Sequence, residues 1–505
     1  MKFQVSQDSF SVARGGDLVA EKLADTGAEV VRTGSYGLAW LEPMVNVQTN
    51  SGTLSFGPVF PQELIESSLQ EPNYWSSSHP AYIGTLESFD FYKRQHRLVF
   101  DQCGTAAPYD LNNHAILSEI LAKSPEEIIQ AIEVSGLRGR GGAGFPAHIK
   151  WRTVADTSAD QKYVVCNADE GDSGTFVDRM LMEGDPTRLI HGMVAAGYAT
   201  GATHGLVYLR SEYPLAAKFF SEALDQAYSE NVLGQNILSS DFCFDLELFI
   251  GAGAYICGEE TSLLESLEGK RGQIKTKPPV PAIAGLFEKP TLVHNVISFA
   301  AVPGIFQIGP ENYRDLGVHP SSGTMTFQLS GNINFGGLIE LPFGITVREL
   351  LEDFGGGTKS GRPIRTVQIG GPLGAYLSES QLDTPLTYES MAEIGAGIGH
   401  GGLVVFDDTV DMLAQAEYAF DFCAIESCGK CTPCRIGAVR GREIMKQLRT
   451  GAGTRQSLVL VDDLCEVMEK ASLCQMGGMT PIPVRSAIAN FPNDFNRRIP
   501  ISAVN

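Results

Sequence analysis

The sequence predicts an α/β chain of several domains that ends in a helical, cysteine-bearing unit. Three observations carry this. The 505 residues exceed what one hydrophobic core usually spans, so three or four domains are expected. Helical and strand periodicities alternate up to about residue 410. Beyond that point the pattern turns helical around clustered cysteines.

Residues 1–70 read as a small β/α unit. Asp17-Leu-Val-Ala-Glu-Lys-Leu-Ala-Asp25 has helical spacing, and Ala28–Thr33 and Pro43–Thr49 read as strands. Asn50-Ser-Gly-Thr53 has the composition of a hairpin turn before Leu54-Ser-Phe-Gly-Pro-Val59. Residues 71–110, rich in Pro, Ser and Tyr, read as a linker with little regular structure.

A larger α/β unit is expected over 111–322. Ser124 is an N-cap, Pro125 suits the first helical position, and Glu126 and Glu127 face the positive end of the dipole. Lys162–Asn167 and Gly205–Leu209 read as buried strands, and Pro214–Tyr228 as a helix. Over 323–410, Met325–Ser330 and Arg365–Ile369 alternate with period two, and Thr346–Phe354 forms one short helix. Two strands, a helix and a strand suggest a β-grasp unit. Residues 411–505 complete the chain as a helical bundle.

The composition is 43% hydrophobic and 19% charged, with a formal net charge of −21. That charge argues against nucleic acid and anionic membranes, which both require a basic surface. No apolar run approaches the roughly 18–20 residues needed to span a bilayer. The opening Met1-Lys-Phe-Gln-Val-Ser-Gln-Asp8 shows no secretory pattern, so a cytoplasmic protein, or one exported only with a partner, is expected.

Ten cysteines occur, at 103, 166, 243, 257, 423, 428, 431, 434, 465 and 474. Cys428, Cys431 and Cys434 follow C-x2-C-x2-C spacing, which wraps three corners of a [4Fe–4S] cubane from one loop. Sulfide-bridged iron prefers thiolates. The fourth ligand is expected to be Cys474, with Cys465 and Cys423 as alternatives, because Gly477 and Gly478 let the chain close over the cluster. Lys430 and Arg435 would offset the cluster's negative charge and raise its potential. Structural zinc competes for the same thiols, although zinc sites usually show two separated C-x2-C pairs.

Gly139, Gly141 and Gly144 fit G-x-G-x-x-G, but a helix rather than a strand precedes them, unlike the usual dinucleotide fingerprint. Such glycines still expose backbone N–H groups, and the next helix offers its positive end to phosphate. Lys150 lies in that helix, within reach of a phosphate or a flavin oxygen. A tight packing turn is the plain alternative. The strand 162–166 runs into Asn167-Ala-Asp169-Glu170-Gly-Asp172, polar residues where open α/β sheets bind ligands. Asn167 could bond a flavin ring edge; for Asp172 a solvated acidic turn competes evenly. Glu259 and Glu260 would repel phosphate, so they suit nicotinamide, ribose or ring N–H groups. Cys257 reads as packing.

Taken together, Gly136–Pro146, Cys166–Glu170, Gly251–Thr261, Lys277-Pro-Pro279 and Glu426–Arg435 resemble the family of flavin-containing, NADH-binding subunits of respiratory complex I, which also occurs in NAD-reducing hydrogenases and NAD-dependent formate dehydrogenases. The resemblance covers about residues 111–490. It implies a Rossmann-like flavin domain, a β-grasp domain and a helical bundle carrying the cluster. It implies FMN held by Gly139, Gly141, Lys150, Asn167, Asp169, Tyr255, Gly258, Glu259 and Asn295, and NAD near Phe145, Glu170, Asp172, Glu260 and Lys277. Cluster ligands would be Cys428, Cys431, Cys434 and Cys474. This chain has Thr153 and Val280 where complex I members commonly carry aromatics, Asp172 for a glutamate, and His294-Asn295 for a pair of asparagines.

Residues 1–70, with Gly37-Leu-Ala-Trp-Leu-Glu-Pro43 as their most telling stretch, resemble the thioredoxin-like extension of formate dehydrogenase beta subunits. Without cysteine this unit cannot hold a [2Fe–2S] cluster. The expectation is therefore an NAD-dependent formate dehydrogenase beta subunit, with hydrogenase diaphorase or complex I membership as the alternative. A zinc-stabilised nucleotide-binding module is the alternative of another class. The implied partners are a molybdenum- or tungsten-containing alpha subunit and a small [2Fe–2S] gamma subunit. Hydride transfer would be carried by FMN itself, with no side chain acting as acid or base.

Overall fold

The structure is a computed structural model that describes residues 1–49, 52–64, 69, 71, 73–108 and 114–499. It is mixed α/β, with three main sheets and a C-terminal group of helices.

The first sheet comprises β1 (Lys2–Ser6), β2 (Glu29–Thr33), β3 (Val45–Thr49), β4 (Gly52–Phe56) and β5 (Tyr82–Gly84), in the order β2-β1-β3-β4-β5. The helix Gly16–Asp25 covers it, burying Val19 and Leu23. β3 and β4 pair antiparallel as the sequence suggests; Asn50 and Ser51 of the expected turn lie outside the described residues. The stretch 71–110 is more ordered than expected. β5 pairs with β4, and Trp75 enters the core beside Phe3 and Phe56 with ring centroids 5.5 and 5.0 Å apart. Burial of a large aromatic fixes a segment whose composition alone reads as loop.

The second sheet is β6 (Tyr163–Ala168), β7 (His204–Leu209), β8 (Asp245–Ile250) and β9 (Thr291–Asn295), all parallel, in the order β8-β7-β6-β9. The chain leaves β6 toward β7 and β8 and then returns to β6's other side. The carboxyl ends of β6 and β9 therefore meet at a topological switch point, where open α/β sheets bind ligands. The helix Pro125–Ser135 has the predicted Ser124 cap, closed as a capping box by Glu127.

After a two-residue hairpin, β10 (Gly317–Val318) and β11 (Ser321–Ser322), comes the third sheet. It holds β12 (Thr324–Gly331), β13 (Gly337–Pro342), β14 (Ile364–Ile369), β15 (Ala375–Leu377) and β16 (Gly402–Asp407), ordered β13-β12-β16-β14-β15 with β12 and β16 parallel. This is the β-grasp arrangement. The predicted helix over 346–354 is α-helical only at Val347–Leu350 and then widens into a π turn at Leu351–Gly355.

The tail forms helices Met412–Glu426, Thr432–Arg449, Arg455–Ala471 and Pro481–Asn490. One apolar core runs from Val165 and Tyr208 of the second sheet, through Cys257 and Leu263, to Phe420, Cys423 and Cys465 of these helices. Sheet and cysteine-bearing helices thus share a core. Among the described residues, no helix is long and apolar enough to cross a membrane.

Candidate functional site

The glycine-rich loop closes over the switch point. Gly139 N–H donates to the Phe145 carbonyl (2.8 Å), and the Tyr388 hydroxyl donates to the Gly139 carbonyl (3.1 Å). Gly144 has φ +58°, and a Cβ there would meet the Tyr388 ring at 2.8 Å, so only glycine fits without strain. Gly141 backs onto Asn295, the last residue of β9, whose side chain caps helix Val296–Ile308 by accepting from Ser298 N–H (3.1 Å). Arg140 is buried, its guanidinium bonded to the Thr324 and Ser322 carbonyls and the Tyr313 hydroxyl. Phe145 is 45% exposed at the mouth, and the following helix Ala147–Asp156 carries Lys150.

Asn167 is the register partner of Asn295 across β6 and β9, and its side-chain N–H donates to the Gly258 carbonyl (2.7 Å). Asp169 leaves one buried carboxylate oxygen with no hydrogen bond among the described residues. Burial pushes its carboxyl up to about 7, against the attraction of Arg210. An acceptor stranded in this way fits a bound group that brings its own donor. Tyr255 donates its hydroxyl to Asp172 (2.7 Å), and burial raises the Asp172 carboxyl above its usual range.

Glu170 behaves otherwise than expected. Its carboxylate turns inward, accepting from the backbone N–H groups of Asp178 and Arg179 (both 3.2 Å) and from the Tyr213 hydroxyl (3.1 Å), with His400 Nε2 at 3.5 Å. The start of helix Val177–Gly184 attracts the charge that was assigned to a nucleotide.

Glu259 and Glu260 both pair with Lys277 (3.0 and 2.6 Å), but they differ in what else they hold. Glu259 caps helix Glu260–Leu267 by accepting from Thr261 and Ser262 N–H (2.9 and 3.0 Å). Glu260 bridges Lys150 (3.0 Å) and Lys277 (2.6 Å). Burial opposes its ionisation, but the two ammonium groups outweigh that and hold its carboxyl at about 2. Lys150 and Lys277 are therefore brought to one carboxylate. Beside them, an open pocket of about 250 Å³ is lined by Thr261, Lys275, Pro278, Pro279 and Lys430.

The cysteine loop joins the same region. Glu426 accepts from Tyr255 N–H (3.1 Å), and Lys430 donates to the Ile274 carbonyl (2.6 Å). Cys428 and Cys434 are buried, and Cys431 and Cys474 are half-buried. The Cys474 loop packs on Cys434: a Cβ on Gly477 would stand 2.7 Å from the Cys434 Cβ. The Cys434 thiol is held down at about 7 by hydrogen bonds from the Cys423 thiol, 3.7 Å away, and from Ser427. Burial pushes Cys474 up to about 11, partly offset by the N–H groups of Met476 and Gly477. Cys465 and Cys423 are fully buried within the apolar core. Four thiols on two abutting loops suit a thiolate-bound cluster.

Sequence reasoning missed Asp178, Tyr213 and His400, because each becomes relevant only once sheets distant in sequence are packed together. The one visible signal was a histidine among glycines, Gly399-His-Gly-Gly402.

Comparison with known proteins agrees with this arrangement. Residues 132–304 match the Nuo51 FMN-binding domain, and residues 414–498 match the NADH-ubiquinone oxidoreductase-F iron-sulfur binding region. The latter places an iron–sulfur cluster, not zinc, at the cysteine loop. The NADP-reducing hydrogenase subunit HndC of Solidesulfovibrio fructosivorans is 45% identical over 413 residues, covering 81% of this chain and 84% of that relative. An NADH-quinone oxidoreductase subunit of Rhizobium meliloti is 41% identical over 372 residues, 74% of this chain and 88% of that relative. An NAD+-reducing [NiFe]-hydrogenase crystal structure superposes with TM-score 0.73 at 29% identity, covering 99% of this chain and 84% of that chain. The glycine-rich loop over the switch point, the cysteine loop beside it and these relatives together place the chain in the family of FMN- and [4Fe–4S]-binding, NADH dehydrogenase-type oxidoreductase subunits of complex I and hydrogenase diaphorases.

Proposed function

We propose that this chain is the diaphorase subunit of a cytoplasmic, NAD-dependent formate dehydrogenase. A metal-dependent alpha subunit would oxidise formate, electrons would reach this chain through a small [2Fe–2S] subunit, and NAD⁺ would be reduced here. The supporting observation is the cysteine-free N-terminal unit built into the rest of the molecule. Its Gly37–Pro43 stretch docks on the third sheet: Leu338 N–H donates to the Gly37 carbonyl (2.9 Å), and Trp40 lies against Phe335 with ring centroids 5.2 Å apart.

FMN supplies hydride and single-electron chemistry when bound. The chain's residues would hold and orient it. Gly139, Gly141 and Gly144 would present backbone to the phosphate, Asn167, Asp169 and Asn295 would serve the ring and ribityl chain, and Gly258 and Tyr255 would form the adjoining wall. Phe145, Asp172, Glu260 and Lys277 would border the nicotinamide, with Lys150 and Lys277 paired to Glu260. Cys428, Cys431, Cys434 and Cys474 would hold the cluster. Ile425, Ile436 and Leu473, next to these cysteines in sequence, are 68%, 51% and 47% exposed, which suits an apolar docking face for the electron-delivering partner.

The second reading, the diaphorase subunit of an NAD-reducing hydrogenase, is favoured by the 99% coverage in the hydrogenase superposition. Anaerobic titration of the purified complex with NADH, formate and H₂, followed by visible absorbance, separates the two. Bleaching by NADH and formate supports the first reading. Bleaching by NADH and H₂, with formate inert, overturns it in favour of the second.

A further inference from the structure

We propose that His400, from the β-grasp sheet, is a positioning residue that aims a backbone N–H of the glycine-rich loop at the flavin phosphate. The proposal rests on FMN binding by this family and not on the formate reading. His400 is buried, 6% exposed, in the turn before β16. Its Nδ1 lies 2.8 Å from the Arg140 carbonyl oxygen. Its Nε2 lies 3.1 Å from Asp178 Oδ1 and 3.5 Å from Glu170 Oε1. A carbonyl only accepts hydrogen bonds, so Nδ1 must carry a proton; Nε2 makes no hydrogen bond among the described residues and faces the two acids at ion-pair distance. The ring is clasped between two buried acids and one main-chain carbonyl; burial opposes its charge, but Asp178 and Glu170 outweigh that and push its pKa well above the ordinary value.

The consequence follows from peptide planarity. In a trans peptide the carbonyl of one residue and the N–H of the next point in opposite directions. Pinning the Arg140 carbonyl inward therefore turns the Gly141 N–H outward. Gly141 is exposed, and its N–H donates to no described residue. The rest of Arg140 is equally fixed: its N–H donates to Ser298 Oγ (2.8 Å), and its guanidinium is anchored on the third sheet. The His400 carbonyl is held in turn by Gln328 Nε2 (2.8 Å), whose side-chain oxygen accepts from Phe176 and Val177 N–H at the head of the helix bearing Asp178. The anion-binding donor is thus set before any ligand arrives, by a charge from a different sheet, 260 residues away in sequence. Pre-set donors cost no reorganisation on binding.

The test uses the holoprotein. FMN release is followed by the appearance of free-flavin fluorescence in wild type, His400→Gln, Asp178→Asn and the double variant. Cluster absorbance and thermal melting report on folding, and the phosphorus NMR line of bound FMN reports on the phosphate's surroundings. The expected result is roughly tenfold faster release in each single variant, a shifted phosphorus line, an unchanged cluster signal, and a double variant no worse than either single, as for residues acting as one unit. Release within twofold of wild type in folded His400→Gln overturns the proposal, as does a double variant whose loss is the product of the singles. A stoichiometric divalent cation present in wild type and lost from His400→Gln also overturns it, because the triad would then be a metal site. Should His400→Gln fail to accumulate, Asp178→Asn is read by the same criteria, since Glu170 still faces the ring.

Discussion

The flavin cradle and the cysteine loop lie side by side, yet they are built in opposite ways. The cradle is backbone geometry imposed from a distance: Gly141 is shaped by Asn295, Gly144 by Tyr388 and Arg140 by His400. The cysteine loop is local, with three of its four thiols within seven residues, and only Cys474 arrives from elsewhere. A site specified locally shows in sequence and fails when a ligand atom is removed. A site specified at long range is harder to see and fails when a supporting contact is removed.

The sharpest way to break the comparison is Cys434→Ser. It should abolish the cluster's broad visible absorbance while FMN, measured after acid release, stays near one per chain. Joint loss of flavin and cluster would show that the cradle depends on the cluster. The mirror experiment is Gly144→Ala, which puts a side chain at φ +58° against the Tyr388 ring. FMN occupancy is expected to fall about tenfold with the cluster intact, in line with strain of roughly 1–3 kcal/mol for a misplaced backbone conformation.

A smaller effect is expected from Glu260→Gln, which removes the carboxylate shared by Lys150 and Lys277 and leaves Lys150 with the Val293 carbonyl and Lys277 with Glu259. Because the Glu260 carboxyl is held at about 2, the stability it contributes is present above its ordinary value of 4.5 and is lost only as pH falls through about 2. At pH 7 the variant should lose about 2 kcal/mol in denaturant unfolding, and KM for the nucleotide should rise several-fold more than kcat falls.

The smallest effect lies away from both sites, where the buried Glu183 of helix Val177–Gly184 meets Ser9 and Asp8 of the N-terminal unit. Burial, then the nearby Asp8, raises the Glu183 carboxyl to about 7, although Arg179 and the Ser9 N–H and hydroxyl oppose this. An acid raised on folding contributes stability below its unfolded value, lost as pH rises through about 7. Wild type should therefore melt a few degrees lower at pH 8 than at pH 5.5. Glu183→Gln should flatten that slope, and a slope unchanged in the variant would assign the pH dependence elsewhere.

What the sequence showed follows the same division. The Ser124-capped helix, β6, β7 and the cysteine spacing were legible because each is set by neighbouring residues. Asn167 and Glu260 could be singled out in the sequence, but the Lys150–Glu260–Lys277 bridge could not, since its members come from three separate segments. Glu170, a carboxylate after a strand, reads as a ligand contact, and only the packed helix reveals the N–H groups from which its carboxylate accepts. Trp75 made a strand-bearing segment of what composition presented as linker.

The bond from Tyr255 N–H to Glu426 carries a consequence for movement. Glu426 stands two residues before Cys428, and the Tyr255 hydroxyl reaches Asp172 in the turn after β6. The loop of Tyr255 and the cysteine loop are joined through one tyrosine, within a core they share. Any displacement of one loop relative to the other has to break the Tyr255–Glu426 bond or carry Tyr255 along with it.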